Sequence, residues 1–72
     1  MKLCNYTLRK MRIHYSLSQE QMADNMNISQ ASYNRLETGK TKIKVEHLAL
    51  LADIYNLSLN EVWRKLSNPE VN

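Results

Sequence analysis

The sequence contains very few residues that interrupt helices. Its 72 residues include one glycine, Gly39, and one proline, Pro69. So little glycine and proline argues against a β-rich fold with many tight turns and against a disordered chain. The single cysteine, Cys4, excludes a disulfide within the chain, and neither His14 nor His47 stands at zinc-ligand spacing from it. We therefore expect an all-α domain without a metal or another cofactor.

Long apolar segments are also absent. No stretch approaches the roughly 20 apolar residues that a membrane span requires, and no apolar run at the start resembles a secretory signal. Together with a single cysteine, this favours a cytoplasmic protein with no membrane contact. His14 and His47 have no motif partner for general acid–base chemistry. We expect a protein that is not an enzyme.

Charge is unevenly distributed along the chain, whose formal net charge is +3. Residues 1–44 carry eight cationic and three anionic side chains, a net charge of +5, whereas residues 45–72 carry a net charge of −2. The first segment is suited to a polyanionic partner, although many soluble domains carry a basic half for solubility alone. A domain of this size has a small core, so a partner subunit is a common source of further stability.

Three helix starts follow one pattern, an apolar residue and then a serine that suits the N-cap position. The three pairs are Leu17-Ser18, Ile28-Ser29 and Leu57-Ser58. Gln21 and Glu61 complete capping boxes with the first and last of these serines. Hydrophobic periodicity adds two less clearly bounded helices. We predict five helices, over 6–15, 19–26, 30–38, 45–56 and 59–66, in a domain of residues 1–67 followed by a short tail, 68–72.

The second and third predicted helices are joined by a short link. Only residues 27–29 separate them, and so short a connection forces two helices to cross steeply, as in a helix-turn-helix. Asn27 stands where the chain needs a left-handed residue, a conformation that asparagine tolerates better than most other residues.

One face of the third helix is apolar and the opposite face is polar. At about 100° per residue, Tyr33 and Leu36 lie on one side. The other side carries Gln30, Ala31, Asn34 and Arg35. Amide and guanidinium groups can form paired hydrogen bonds with base edges in the DNA major groove. A solvated face is the alternative, but such faces usually carry glutamate and lysine, so the composition favours base recognition.

The fourth and fifth helices carry more apolar residues than a small chain can easily bury. The fifth has an apolar stripe of Leu59, Val62, Trp63 and Leu66. Either the two helices pack on each other, or part of the stripe meets a second subunit. The second alternative predicts a dimer surface that contains Leu59, Trp63 and Leu66.

Residues 8–63 resemble the phage lambda-repressor/Cro-like helix-turn-helix domains. The resemblance lies in LSQEQMADNMNISQASYNRLETGK, from Leu17, and in VEHLALLADIYNLSLNEVW, from Val45. The sequence departs from the family at Ser16 and Asn27, where glycine is common, and at Tyr33, where isoleucine or valine is usual. Ile43-Lys44 replaces proline and serine. These departures affect caps and turns more than the polar face of the third helix.

The resemblance implies a role for each matching position. It implies base contacts from Gln30, Ala31, Asn34 and Arg35. It implies backbone contacts from Gln19, Ser29, Ser32, Lys40, Lys42 and Lys44, with Gln19 aided by its helix N-terminus. Arg12 and Glu37 occupy positions that form an ion pair in many relatives. The alternatives are ordinary solvation of the lysines and two separate surface charges at Arg12 and Glu37.

These observations predict sequence-specific binding of double-stranded DNA by a homodimeric transcription regulator, in the simplest case a repressor. The main alternative is an antitoxin that neutralises a protein toxin and regulates its own operon. Its toxin contacts would be the apolar surface of the last two helices and the terminal SNPEVN. A protein-interaction domain that has lost DNA binding is a further alternative.

Overall fold

The computed structural model describes residues 3–67, which form five α-helices and no strand. The helices are α1 (Asn5–His14), α2 (Gln19–Met26), α3 (Gln30–Glu37), α4 (Val45–Tyr55) and α5 (Leu59–Ser67). The predicted all-α, five-helix class is therefore confirmed. The predicted tail, 68–72, lies outside the described residues.

Serine caps begin three of the helices, as the sequence predicts. Ser18 Oγ accepts a hydrogen bond from the Gln21 N–H (3.0 Å), and Gln21 Oε1 accepts one from the Ser18 N–H (2.8 Å). Ser58 and Glu61 form the same reciprocal pair. Ser29 Oγ accepts a hydrogen bond from the N–H three residues further on (3.1 Å). These bonds satisfy donors that a helix start leaves without partners inside the helix.

The start of α4 is capped by a histidine that the sequence pattern does not reveal. The Lys44 N–H donates a hydrogen bond to His47 Nδ1 (2.8 Å). Burial lowers the pKa of His47, which favours the neutral imidazole that this bond requires. His47 thus acts as a structural cap for α4.

Four helices are followed, within two positions of their last residue, by a residue in the left-handed region. These residues are Ser16, Asn27, Gly39 and Asn56, with φ of 57°, 60°, 81° and 56°. At each end the next N–H donates to the carbonyl five residues earlier, as in a Schellman motif; Leu17 N–H to Arg12 O is 3.0 Å. The left-handed conformation predicted for Asn27 is confirmed. These ends also explain why α1, α3 and α4 stop one residue before their predicted limits.

The core draws on all five helices. Leu8 of α1, Met22 of α2, Leu36 of α3, Leu51 of α4 and Val62 of α5 are buried there. The α2 helix packs mainly against α3, α1 packs against α3 and α5, and α5 packs against α4. Since α3 is held by both α1 and α2, only its outer side is left available to a ligand.

Leu66 corrects one sequence-based prediction. It is fully buried (0% exposed), and its carbonyl accepts a hydrogen bond from the Cys4 N–H (2.8 Å). The prediction that Leu66 lies on a dimer surface is wrong, because α5 is rotated so that Val62 and Leu66 face the core. Leu59 and Trp63 stay 50% and 39% exposed.

Candidate nucleic-acid interface

The outer side of α3 presents the four residues predicted to contact bases. Gln30, Ala31, Asn34 and Arg35 are all exposed. The opposite side of the helix is anchored by Tyr33 and Leu36, which are 0% and 2% exposed. The helix is thus anchored on its buried side, and its polar side chains project from the outer side. The small Ala31 lets another surface approach the helix closely.

Serine hydroxyls tether the guanidinium of Arg35. Arg35 Nη2 donates a hydrogen bond to Ser32 Oγ (3.3 Å), and Ser29 Oγ donates to the same oxygen (3.0 Å). These bonds hold the cation beside the first turn of α3. Ser29 is exposed and Ser32 half-buried. The two predicted backbone-contact serines therefore also orient a predicted base-contact residue.

An ion pair lies beneath this helix. Arg12 Nε donates to Glu37 Oε2, Arg12 Nη2 donates to Glu37 Oε1 (3.3 Å), and Arg12 Nη1 donates to the Leu17 carbonyl (2.9 Å). The Arg12 and Glu37 side chains are 12% and 2% exposed. The predicted pairing of these two residues is thus present in the structure, and it joins α1 to the end of α3.

Glu37 remains ionised despite its burial. Burial alone would raise the pKa of its carboxyl, but hydrogen bonds from Arg12 and Gln19 lower that pKa below its usual value. The hydrogen bond with Glu37 in turn raises the pKa of Arg12. The negative charge of Glu37 is therefore neutralised locally and does not offset the surface cations around it.

A chain of amides runs from this carboxylate to the surface of α3. Gln19 Nε2 donates a hydrogen bond to Glu37 Oε1 (3.0 Å), and Asn34 Nδ2 donates to Gln19 Oε1 (3.3 Å). A carboxylate can only accept, so the Gln19 amide must place its nitrogen towards Glu37 and its oxygen towards Asn34. Asn34 therefore keeps its own carbonyl oxygen and one N–H for an external partner.

The sequence did not reveal these hydrogen bonds, because their partners are distant in the sequence. From the sequence, Gln19 was predicted only to contact the DNA backbone. Gln19 and Glu37 are 18 residues apart, and their side chains meet only once α2 packs on α3. The tie between Asn5 and the end of α3 was missed for the same reason: Asn5 Nδ2 donates a hydrogen bond to the Glu37 carbonyl (2.7 Å). No spacing rule within one helix reveals either bond.

Three exposed lysines follow α3, at Lys40, Lys42 and Lys44. The left-handed turn at Gly39 sets the direction of this segment, because the Lys40 N–H bonds back to the Arg35 carbonyl (2.9 Å). Together with Arg35, these three lysines place four cations within ten residues. The one anion of the segment, Glu37, is buried and paired. This end of α3 is therefore suited to a polyanionic ligand.

Lys42 and Lys44 also line a groove of about 680 Å³ that leads towards α5. Its apolar wall includes Val45, Leu48 and Trp63. The groove connects the cationic segment to the exposed part of α5.

Residues 3–67 contain neither a candidate metal cluster nor a candidate membrane-spanning helix. No group of His, Cys, Asp and Glu side chains in that range is placed to hold a metal ion. None of the five helices described above is long and apolar enough to cross a bilayer.

The comparison with protein families gives the class to which this architecture belongs. A family model described as helix-turn-helix matches residues 8–62, which is most of the chain. The chain belongs to the helix-turn-helix family of the Cro/C1 type, a family of DNA-binding transcription regulators. The resemblance inferred from the sequence is thereby confirmed.

Individual relatives agree with this assignment. The chain is 29% identical over 63 residues to the uncharacterized HTH-type transcriptional regulator YobD of Bacillus subtilis (strain 168), covering 88% of this chain. A crystal structure of a transcriptional regulator from Listeria innocua superposes with a TM-score of 0.74 over 86% of this chain, at 24% identity, which shows a common fold. The chain spans 56% and 59% of the lengths of these two proteins.

Proposed function

We propose that this protein binds double-stranded DNA through the outer face of α3 and thereby regulates transcription. The observation that supports this most directly is the placement of Gln30, Asn34 and Arg35 on the exposed side of a helix whose other side is buried. An α-helix fits the major groove, where amide and guanidinium groups form paired hydrogen bonds with adenine and guanine. Ala31 permits close approach or contact with a thymine methyl group.

Phosphate contacts supply most of the affinity in this proposal. Lys40, Lys42 and Lys44 lie just beyond the recognition helix and release counterions when they meet phosphates. The N-terminus of α2, at Gln19, offers backbone N–H groups and a positive helix dipole to a further phosphate. Ser29 and Ser32 lie at the edge of the same surface. These contacts set the position of α3, and the base contacts then select the sequence.

A homodimer is the proposed form on DNA. Leu59 and Trp63 project from α5 as exposed apolar side chains, and Val45, at 71% exposure, lines the same groove as Trp63. Apolar side chains concentrated in one place suit a second subunit. A two-fold dimer would place its recognition helices about 34 Å apart, one turn of B-DNA.

A repressor is the simplest regulatory role, because bound protein blocks other proteins from the same DNA. An antitoxin would use the same DNA contacts and offer Leu59 and Trp63 to a toxin. Purification of the chain from the cells that naturally produce it distinguishes the two roles. A toxic protein that co-purifies with it in a fixed ratio identifies an antitoxin. Residues 68–72, proposed from the sequence as part of a toxin contact, lie outside the described residues.

Selection of bound duplexes from a random pool tests DNA binding and dimerisation together. The expected result is a two-fold consensus whose half-sites are centred about one helical turn apart. An Asn34→Ala/Arg35→Ala double variant, checked for folding, serves as the matched control and should enrich no consensus. Enrichment of the same consensus by that variant, or none by the wild type, contradicts the proposal.

A further inference from the structure

The outward face of α1 combines apolar and cationic side chains. Tyr6 and Ile13 are 59% and 52% exposed, and Arg9 and Lys10 lie exposed between them. Positions 6, 9, 10 and 13 share one helix face, opposite the buried Leu8 and Met11. The Lys10 Nζ atom lies 5.9 Å from the centre of the Tyr6 ring, within cation–π range. We call these four residues the basic α1 face; the proposed α3 interface uses none of them.

The outward face of α4 has the opposite character at the same spacing. Glu46, Ala49, Leu50 and Asp53 are all exposed, and Leu50 reaches 38% exposure. Together with Ala52, Asn56 and Leu57 they line a shallow depression of about 620 Å³. We call these four residues the acidic α4 face. Two carboxylates lie at its ends, with an alanine and a leucine between them.

The two faces are complementary. Single exposed apolar residues are common and need no partner. Here two cations between apolar residues are matched by two apolar residues between anions, each set filling positions i, i+3, i+4 and i+7 of one helix. The long stems of Arg9 and Lys10 can cover Ala49 and Leu50 while their charged ends reach the carboxylates on either side.

We propose that the basic α1 face of one copy of this chain docks on the acidic α4 face of a second copy. Ala49 has a small side chain, which lets the partner helix approach closely, and the depression beside it accepts Tyr6 or Ile13. The partner is a second copy because the chain itself carries both halves of the match. The attraction is electrostatic in part, so it weakens as salt rises.

This contact differs in symmetry from the proposed α5 dimer. Each copy contributes a different face, so the contact is heterologous and can repeat into a row of copies. Each face spans only about two turns of one helix, whereas stable interfaces bury roughly 1,200–2,000 Å², so we expect this small contact to be weak. It therefore acts where copies are already concentrated, as on adjacent DNA sites. This last consequence alone rests on the proposed DNA binding.

A charge-exchange experiment tests the contact without DNA. One variant carries Arg9→Glu and Lys10→Glu, and the other carries Glu46→Lys and Asp53→Lys. All four positions are exposed, and circular dichroism checks that each variant folds. Chemical shifts of wild-type protein labelled with 15N, followed up to about 1 mM, should move with concentration at both faces, as weak association requires. Each variant alone should lose these shifts, and mixing the two variants should restore them.

The outcomes separate this contact from its alternatives. A Trp63→Lys variant, which removes the proposed α5 contact, should keep the shifts at the α1 and α4 faces. Absence of concentration-dependent shifts there in the wild type, shifts confined to other surfaces, or no recovery in the mixture would overturn the proposal. Because no DNA is present, none of these results depends on whether the proposed function is correct.

Discussion

Gln19 and Glu37 lie 18 residues apart in the chain, and the Gln19 amide nitrogen donates a 3.0 Å hydrogen bond to the buried Glu37 carboxylate. The bond fixes which end of the Gln19 amide faces outward, and that end accepts from Asn34. The buried Glu37 carboxylate thereby determines that Asn34, on the exposed face of α3, acts as the donor in its hydrogen bond with Gln19. In the proposed function, this preorganises Asn34 for base contact.

Gln19→Met should release the Asn34 side chain while leaving the fold intact. Methionine keeps the length and volume of glutamine but removes both of its hydrogen-bonding groups. The 15N order parameter of the Asn34 side-chain amide should fall from an ordered to a flexible value, below about 0.6. NMR relaxation of the free protein measures this directly.

The control for Gln19→Met is the same substitution at Gln30, which is exposed on α3 and makes no side-chain hydrogen bond among the described residues. Gln30→Met should leave the Asn34 order parameter unchanged. Equal order at Asn34 in the wild type and in Gln19→Met would show that Gln19 does not position it.

Glu37→Gln should destabilise the protein by about 3 kcal/mol, because it leaves the largely buried Arg12 guanidinium without its counter-charge. The effect should depend on pH. The pKa of Glu37 is lowered in the folded state, so its ionised form contributes stability above the ordinary glutamate pKa of 4.5. That contribution is lost as the pH falls through the lower folded-state pKa.

Urea unfolding of wild type and Glu37→Gln at several pH values measures this dependence. The difference in unfolding free energy should be largest at neutral pH and should shrink as the pH falls below 4.5. A difference that is constant between pH 7 and about pH 3 would mean that the charge of Glu37 contributes nothing to stability.

The fold was accessible from sequence because its signals are local. Ser18 with Gln21, and Ser58 with Glu61, cap their helices through contacts three residues apart, and short-range patterns reveal such contacts. Periodicity likewise identified the exposed side of α3. These features follow from the geometry of a single helix.

Long-range relationships were not accessible in the same way. The rotation of α5 that buries Leu66 depends on how α5 packs on α1 and α4, and the apolar stripe alone is compatible with several rotations. The Gln19 bonds likewise require the docked position of α2 on α3. The sequence indicated which residues lie on the exposed side of α3, but it did not show which of them hold one another in place.

Ser16→Gly should stabilise the protein by about 1 kcal/mol, because serine at φ 57° occupies a left-handed conformation that costs glycine little. Asn56→Gly should stabilise less, since asparagine tolerates this region better. Thermal unfolding measures both changes, and equal effects at the two positions would contradict the argument.

Gly39→Ala is the converse substitution and should destabilise by about 1–2 kcal/mol. The residue has φ 81°, and an added Cβ would lie 3.2 Å from Asn5 Oδ1. Thermal unfolding again gives the measurement, and an unchanged melting temperature would show that the α3 terminus relaxes freely.

Arg35→Ala and Lys42→Ala should weaken DNA binding in different ways. Loss of Arg35 should cost about 1–3 kcal/mol on the preferred duplex and relax the preference at one base pair. Loss of Lys42 should weaken binding evenly across sequences and reduce the salt slope by about 1. Titrations on matched and mismatched duplexes at several salt concentrations distinguish these effects. A uniform loss for Arg35→Ala would make it a phosphate contact.

In the proposed function the exposed face of α3 contacts bases in the major groove, and substitution of 7-deazapurines into the selected duplex tests this contact atom by atom. Replacing N7 of adenine or guanine removes an acceptor that only the major groove displays. At contacted positions, affinity for the wild-type protein should fall, and Asn34→Ala or Arg35→Ala should no longer sense the substitution at its own base pair. Undiminished affinity for duplexes substituted at every purine would show that α3 makes no contact with the purine N7 atoms of the major groove.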